Sequence, residues 1–128
     1  MKTIGVIGGM SCESSLLYYH LINQDVNRRL GGLHSAKIIL SSIDFAPLEQ
    51  LQHSGDWEGA AAILIDSARQ VESAGADFFI IATNTMHRVA DAVTADRVKR
   101  IGLLGTAFTM ELDFYRDQIR RHDIDVIV

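Results

Sequence analysis

The stretch Thr3-Ile4-Gly5-Val6-Ile7-Gly8-Gly9-Met10-Ser11 decides the fold. An apolar, β-branched run is closed by paired glycines, and a helical pattern follows with Glu13 in its first turn. Such a run reads as a strand buried on both faces, and a helix directly behind it reads as the first half of a βαβ unit. The helix is expected from about Glu13 to Leu30, with Leu16, Leu17, Tyr19, His20, Ile22, Val26 and Leu30 as its apolar face and Gly31-Gly32 as its stop. His20, placed on that face, reads as a hydrogen-bonded core residue.

The alternation continues outward from this unit. Lys37 to Asp44 reads as a second strand, Phe45 to Gln52 as a short helical turn entered through Pro47, and Asp56 to Ala74 as a helix with Asp56 as N-cap and Gly75 as its stop. Asp77 to Ala82 is a third strand. After a helix through about Val98, Arg100 to Thr106 and Ile124 to Val128 read as fourth and fifth strands, with a helix from Thr109 to Arg121 between them. Strands alternating with helices imply an α/β fold, a parallel sheet held between two helical layers. A sequence ending inside a strand is expected to be completed by another chain or by more of a longer protein.

Composition bounds the function. With 128 residues, 48% of them hydrophobic, the chain can bury a core without covalent staples. Cys12 is the only cysteine, so no disulfide forms within the chain, no cysteine-ligated zinc site is available, and a reducing, cytoplasmic setting is expected. The net charge of −4 and the scattered basic residues argue against nucleic acid as a partner. The apolar runs Ala60 to Ile65 and Phe78 to Ala82 are far shorter than the roughly 20 residues of a membrane span.

In open parallel sheets ligands bind at the carboxyl ends of the strands. Four junctions fall there: Gly8-Gly9-Met10-Ser11, Ser42-Ile43-Asp44, Thr83-Asn84-Thr85 and Gly105-Thr106. The first is either an anion site made of backbone N–H groups or a tight turn that requires small residues. It lacks both the G-x-G-x-x-G fingerprint and the P-loop pattern, which argues against a nucleotide. Thr83, Asn84 and Thr85 either converge on a polar ligand or cap the following helix. His20, His34, His53, His87 and His122 show no metal-binding spacing, and His87 stands out only as a neighbour of the Thr-Asn-Thr cluster. Cys12 at a helix start has the setting of a reactive thiol but no identified partner.

Met1-Lys2-Thr3-Ile4-Gly5, Gly8-Gly9-Met10-Ser11-Cys12-Glu13-Ser14, Arg29-Leu30-Gly31-Gly32-Leu33-His34-Ser35-Ala36, Thr83-Asn84-Thr85-Met86-His87 and Leu104-Gly105-Thr106 together resemble the aspartate/glutamate racemase family, in particular its L-aspartate/glutamate-specific bacterial branch. The resemblance implies a two-lobed α/β enzyme. Residues 1–98 would form the first lobe and residues 99–128 part of the second. It further implies racemisation of aspartate or glutamate without a cofactor, by two acid/base groups on opposite sides of the substrate α-carbon, in a homodimer. Thr83 falls where the family usually carries its first catalytic cysteine. Met10, Ser11, Gln52, Asn84, Thr85, Thr106 and Thr109 fall at substrate-binding positions.

This sequence departs from the family in three places. The stretch between Val93 and Arg100 is shorter, Cys12 stands where tryptophan is common, and the motif with the second catalytic cysteine is absent from the 128 residues. A threonine hydroxyl is a far weaker base than a thiolate, so the expected activity is slow or biased in direction. The alternative is a racemase-like domain that binds a dicarboxylate without turnover.

Overall fold

Strand β1 (Thr3–Gly8) lies inside the sheet, which is why its sequence is apolar on both faces. The computed structural model describes residues 1–83 and the backbone of residues 101–103. In chain order the elements after β1 are α1 (Cys12–Leu30), β2 (Lys37–Ser42), α2 (Phe45–Ser54), α3 (Trp57–Ser73), β3 (Phe78–Ile81) and β4 (Ile101–Leu103). The four strands are parallel in the order β2-β1-β3-β4. The register pairs Thr3 with Lys37 and Ile4 with Phe78. Asp77 closes the amino edge, its carboxylate accepting from the Thr3 amide at 2.6 Å.

Odd and even strand positions feed two separate cores, as a period of two requires. Ile7, Phe79 and Ile81 pack on one face with Leu48 of α2 and Ala60, Leu64, Ala68 and Val71 of α3. Val6, Ile80 and Ala82 pack on the other, against Tyr18 and Ile22 of α1. Helices therefore cover both faces, and the three-layer α/β expectation holds.

The element boundaries moved for local reasons. β2 stops at Ser42 and does not reach Asp44, because Asp44 leaves the ladder to cap α2, its carboxylate accepting from the Ala46 amide. Beyond the expected turn, α2 is a helix that runs on to Ser54, with Pro47 in its first turn, where a missing N–H costs nothing. Asp56 caps α3 by accepting from the Gly59 amide at 2.9 Å. The expected helix before Val98, the helix Thr109 to Arg121 and the strand Ile124 to Val128 lie outside the described residues.

One expectation fails on α1. The side turned to the sheet carries Ser15, Tyr18 and Ile22, while Leu16, Leu17, Tyr19 and Leu21 are exposed, Leu16 at 69% and Leu17 at 55%. His20 is exposed as well and is not a core residue. Apolar residues ring most of this helix, so hydrophobicity alone does not select a stripe. The buried Ser15 under the preceding loop fixes the rotation instead.

Candidate active site

Three strand ends lie side by side where β1 runs between its neighbours. Gly8 pairs with Ser42, and the Ile43 amide donates to the Gly8 carbonyl at 2.9 Å. On the other side Ile7 pairs with Ile81, and the Ala82 amide donates to the Ile7 carbonyl at 2.9 Å. The chain leaves β1 toward β2 on one side while β3 lies on the other. This is the topological switch point at which open α/β sheets form a crevice for ligands.

The glycines of the first loop answer to space as well as conformation. Gly9 has φ +84°, and a Cβ there would lie 2.4 Å from the Ile43 carbonyl oxygen and 2.5 Å from its nitrogen. Any side chain would collide with the backbone leaving β2. A Cβ on Gly8 would lie 2.4 Å from Ser15 Oγ. The loop therefore runs through a gap bounded by β2 on one side and α1 on the other.

Serines finish the turn. Ser11 is the N-cap of α1, its backbone extended and its hydroxyl accepting from the Ser14 amide at 3.3 Å. Ser15, only 4% exposed, accepts from the Gly9 amide at 2.9 Å and donates to the Ser11 carbonyl at 3.1 Å. The helix behind them has 19 residues, so its positive end sits at Ser11, on the edge shared with β3. Glu13 in that first turn has its carboxyl held below the ordinary value of 4.5, by a hydrogen bond from its own backbone amide and another from Cys12 Sγ at 3.3 Å.

The expected site residues divide into three groups. Ser11 and Thr83 stand at the carboxyl edge, Ser11 exposed and Thr83 half-buried directly after the last paired residues of β3. Met10 also lies there, but its side chain is buried in the core with Ile7 and Leu48, so it offers a ligand its backbone. Gln52 is half-buried on the last turn of α2. Asn84, Thr85, Thr106 and Thr109 lie outside the described residues, as does His87. Cys12 is exposed as the first residue of α1, with its thiol turned to Glu13. Among the described residues no three His, Cys, Asp or Glu side chains come together as a metal-binding group, and no helix is long and apolar enough to cross a membrane.

The segment Arg29 to Ala36 sits at the opposite end of the sheet. Asn27 Nδ2 donates to the carbonyls of Gly32 and His34 at 2.8 and 3.0 Å, and Asn23 Oδ1 accepts from the Ala36 amide at 2.9 Å. These bonds fasten the loop that leads into β2, and they explain an unusual string by folding. Ser15 was missed by sequence reasoning. Its signal was a serine four residues beyond an N-cap serine, directly behind a Gly-Gly turn.

An open parallel sheet with helices on both faces and a glycine-serine loop beside a strand-end threonine is the arrangement of an α/β protein that binds ligands at its switch point. The chain belongs to the Asp/Glu/Hydantoin racemase family, whose model matches residues 7–98. A crystal structure of a candidate Asp/Glu racemase from Yersinia pestis is 47% identical and superposes with a TM-score of 0.76, covering 99% of this chain and 64% of that one. A crystal structure of an aspartate racemase homologue from Pyrococcus horikoshii OT3 is 32% identical with a TM-score of 0.68, covering 100% of this chain and 64% of that one. The chain thus spans about 64% of the length of the proteins it matches.

Proposed function

We propose that this chain forms the first lobe, residues 1–98, and part of a second lobe, residues 99–128, of an amino-acid racemase acting on aspartate or glutamate in the cytoplasm without a cofactor. The observation that supports the reading is the side-by-side pairing of β1 and β3, after which the Gly8–Ser11 loop that opens α1 and Thr83 both follow at the carboxyl edge of the sheet. Backbone amides and hydroxyls there suit a dicarboxylic amino acid, whose carboxylates need several directed donors.

In this reading Thr83 holds the first acid/base position, and Ser11, the Met10 backbone, Gln52, Asn84, Thr85, Thr106 and Thr109 bind substrate. Racemisation takes two proton transfers: a base on one face removes the α-proton, and an acid on the other face gives its own proton to the planar carbanion. Thr83 Oγ is suited to the return, since a neutral hydroxyl is a proton donor and a weak base. The opposing group comes from the part of the second lobe that these 128 residues do not contain. A homodimer is the expected assembly, supported by the exposed leucines of α1.

Exchange of the α-proton of L-aspartate and L-glutamate into deuterated water tests the activity, measured on the protein with both lobes, since the group that removes the proton is assigned to the second. Measurable exchange is expected, rising at least tenfold in Thr83→Cys, because a thiol titrates much closer to neutral pH than a hydroxyl does. No exchange in either protein overturns the racemase reading. Calorimetric binding of succinate without exchange would identify a dicarboxylate-binding domain instead.

A further inference from the structure

We propose that Ser15 is a positioning residue for the strand-end site, acting through the Gly9–Ser11 loop. This rests on the racemase reading of that edge and adds to it the device that shapes the loop. A nearly fully buried hydroxyl on the inner face of a helix has to satisfy itself or cost stability. Ser15 does so with both ends of one turn, taking the Gly9 amide at 2.9 Å and giving its proton to the Ser11 carbonyl at 3.1 Å. The loop is thereby closed into a ring.

Two consequences follow for the site. The Gly9 N–H is held inward by the Ser15 hydroxyl and is not offered to a ligand at the edge. The Ser11 carbonyl is also held, by both the hydroxyl and the backbone amide of Ser15, the latter at 3.0 Å. This locks the peptide that carries the N-cap. Gly8 belongs to the same device, because the Ser15 hydroxyl occupies the space a Cβ would need, and the absence of that Cβ lets the hydroxyl approach the loop. An alanine at position 15 would leave the Gly9 donor buried against a methyl group and the ring open.

Native-state amide exchange and calorimetry on the 128-residue chain separate this role from general support of the fold. In Ser15→Ala the Gly9 amide is expected to exchange about tenfold faster relative to the β1 amides, as the loss of one partner of a buried hydrogen bond implies. The Kd for succinate is expected to rise about tenfold at a temperature where the protein is fully folded, and Ser15→Thr, which keeps the hydroxyl, is expected to restore both. Unchanged Gly9 exchange in Ser15→Ala overturns the positioning role. Faster exchange with an unchanged Kd leaves Ser15 a purely structural residue and overturns it too. If the parent chain binds no succinate, the dicarboxylate reading of the edge fails and the positioning role falls with it, even where Gly9 exchange responds.

Discussion

The two helical layers treat the same sheet differently. On one face α3 buries Ala60, Ala61, Leu64, Ala68 and Val71, a stripe whose small members let the helix lie close to Ile7, Phe79 and Ile81. On the other, Ser15 is the only fully buried residue of α1, with Tyr18 and Ile22 packed part-buried against the sheet and five large apolar side chains left outside. The difference follows from what each helix carries. α3 has a single apolar side, whereas α1 is apolar around most of its circumference and begins at the candidate site with Ser15 turned under the loop.

The largest expected effect comes from Leu64→Ala, at about 3 kcal/mol of lost stability, because a fully buried leucine leaves a cavity between α3 and the sheet. Urea unfolding followed by circular dichroism measures it as a lower midpoint at constant slope. Leu17→Ala on α1 is expected to cost less than about 0.5 kcal/mol, as exposed substitutions do. A loss as large as that of Leu64→Ala would erase the contrast. A loss that grows with protein concentration would instead show a second copy covering the outer side of α1.

The smallest effect belongs to the start of α1. Glu13 has a depressed carboxyl in the folded state, so it contributes stability above its unfolded value near 4.5 and loses that contribution as pH falls through the lower, folded value. Glu13→Gln should therefore melt slightly below the parent at neutral pH and converge with it in acid. Thermal melts across the acid range read the difference. A gap that widens toward low pH would contradict the assignment.

Much of the fold was legible because its signals are local. The Thr3 to Ile7 run, the caps at Asp56 and Gly31, and the alternation of strands and helices each follow from neighbouring residues. Asp44 was assigned to a strand because its role as a cap depends on where the backbone turns. The exposed side of α1 was illegible for a deeper reason: Leu16, Leu17 and Leu21 are as apolar as Ile22, and only tertiary contact separates them. At the candidate site, the position of Ser11 and Thr83 at the carboxyl edge was legible from the strand ends, while Met10 was named without its burial being foreseen. Ser15 stayed hidden since nothing in a serine's identity announces that it will sit under a glycine turn.

The strand order also sets a timetable. β1 is made before β3, yet its pairing with β3 joins residues such as Thr3 and Asp77, 74 positions apart, so that side of β1 stays open until Phe78–Ile81 has been synthesised. At about 5–20 residues per second, the wait is on the order of 4–15 s. During that interval β1 has only β2 to pair with among the described strands, so the strand that leads into the glycine-serine loop stays open on its β3 side.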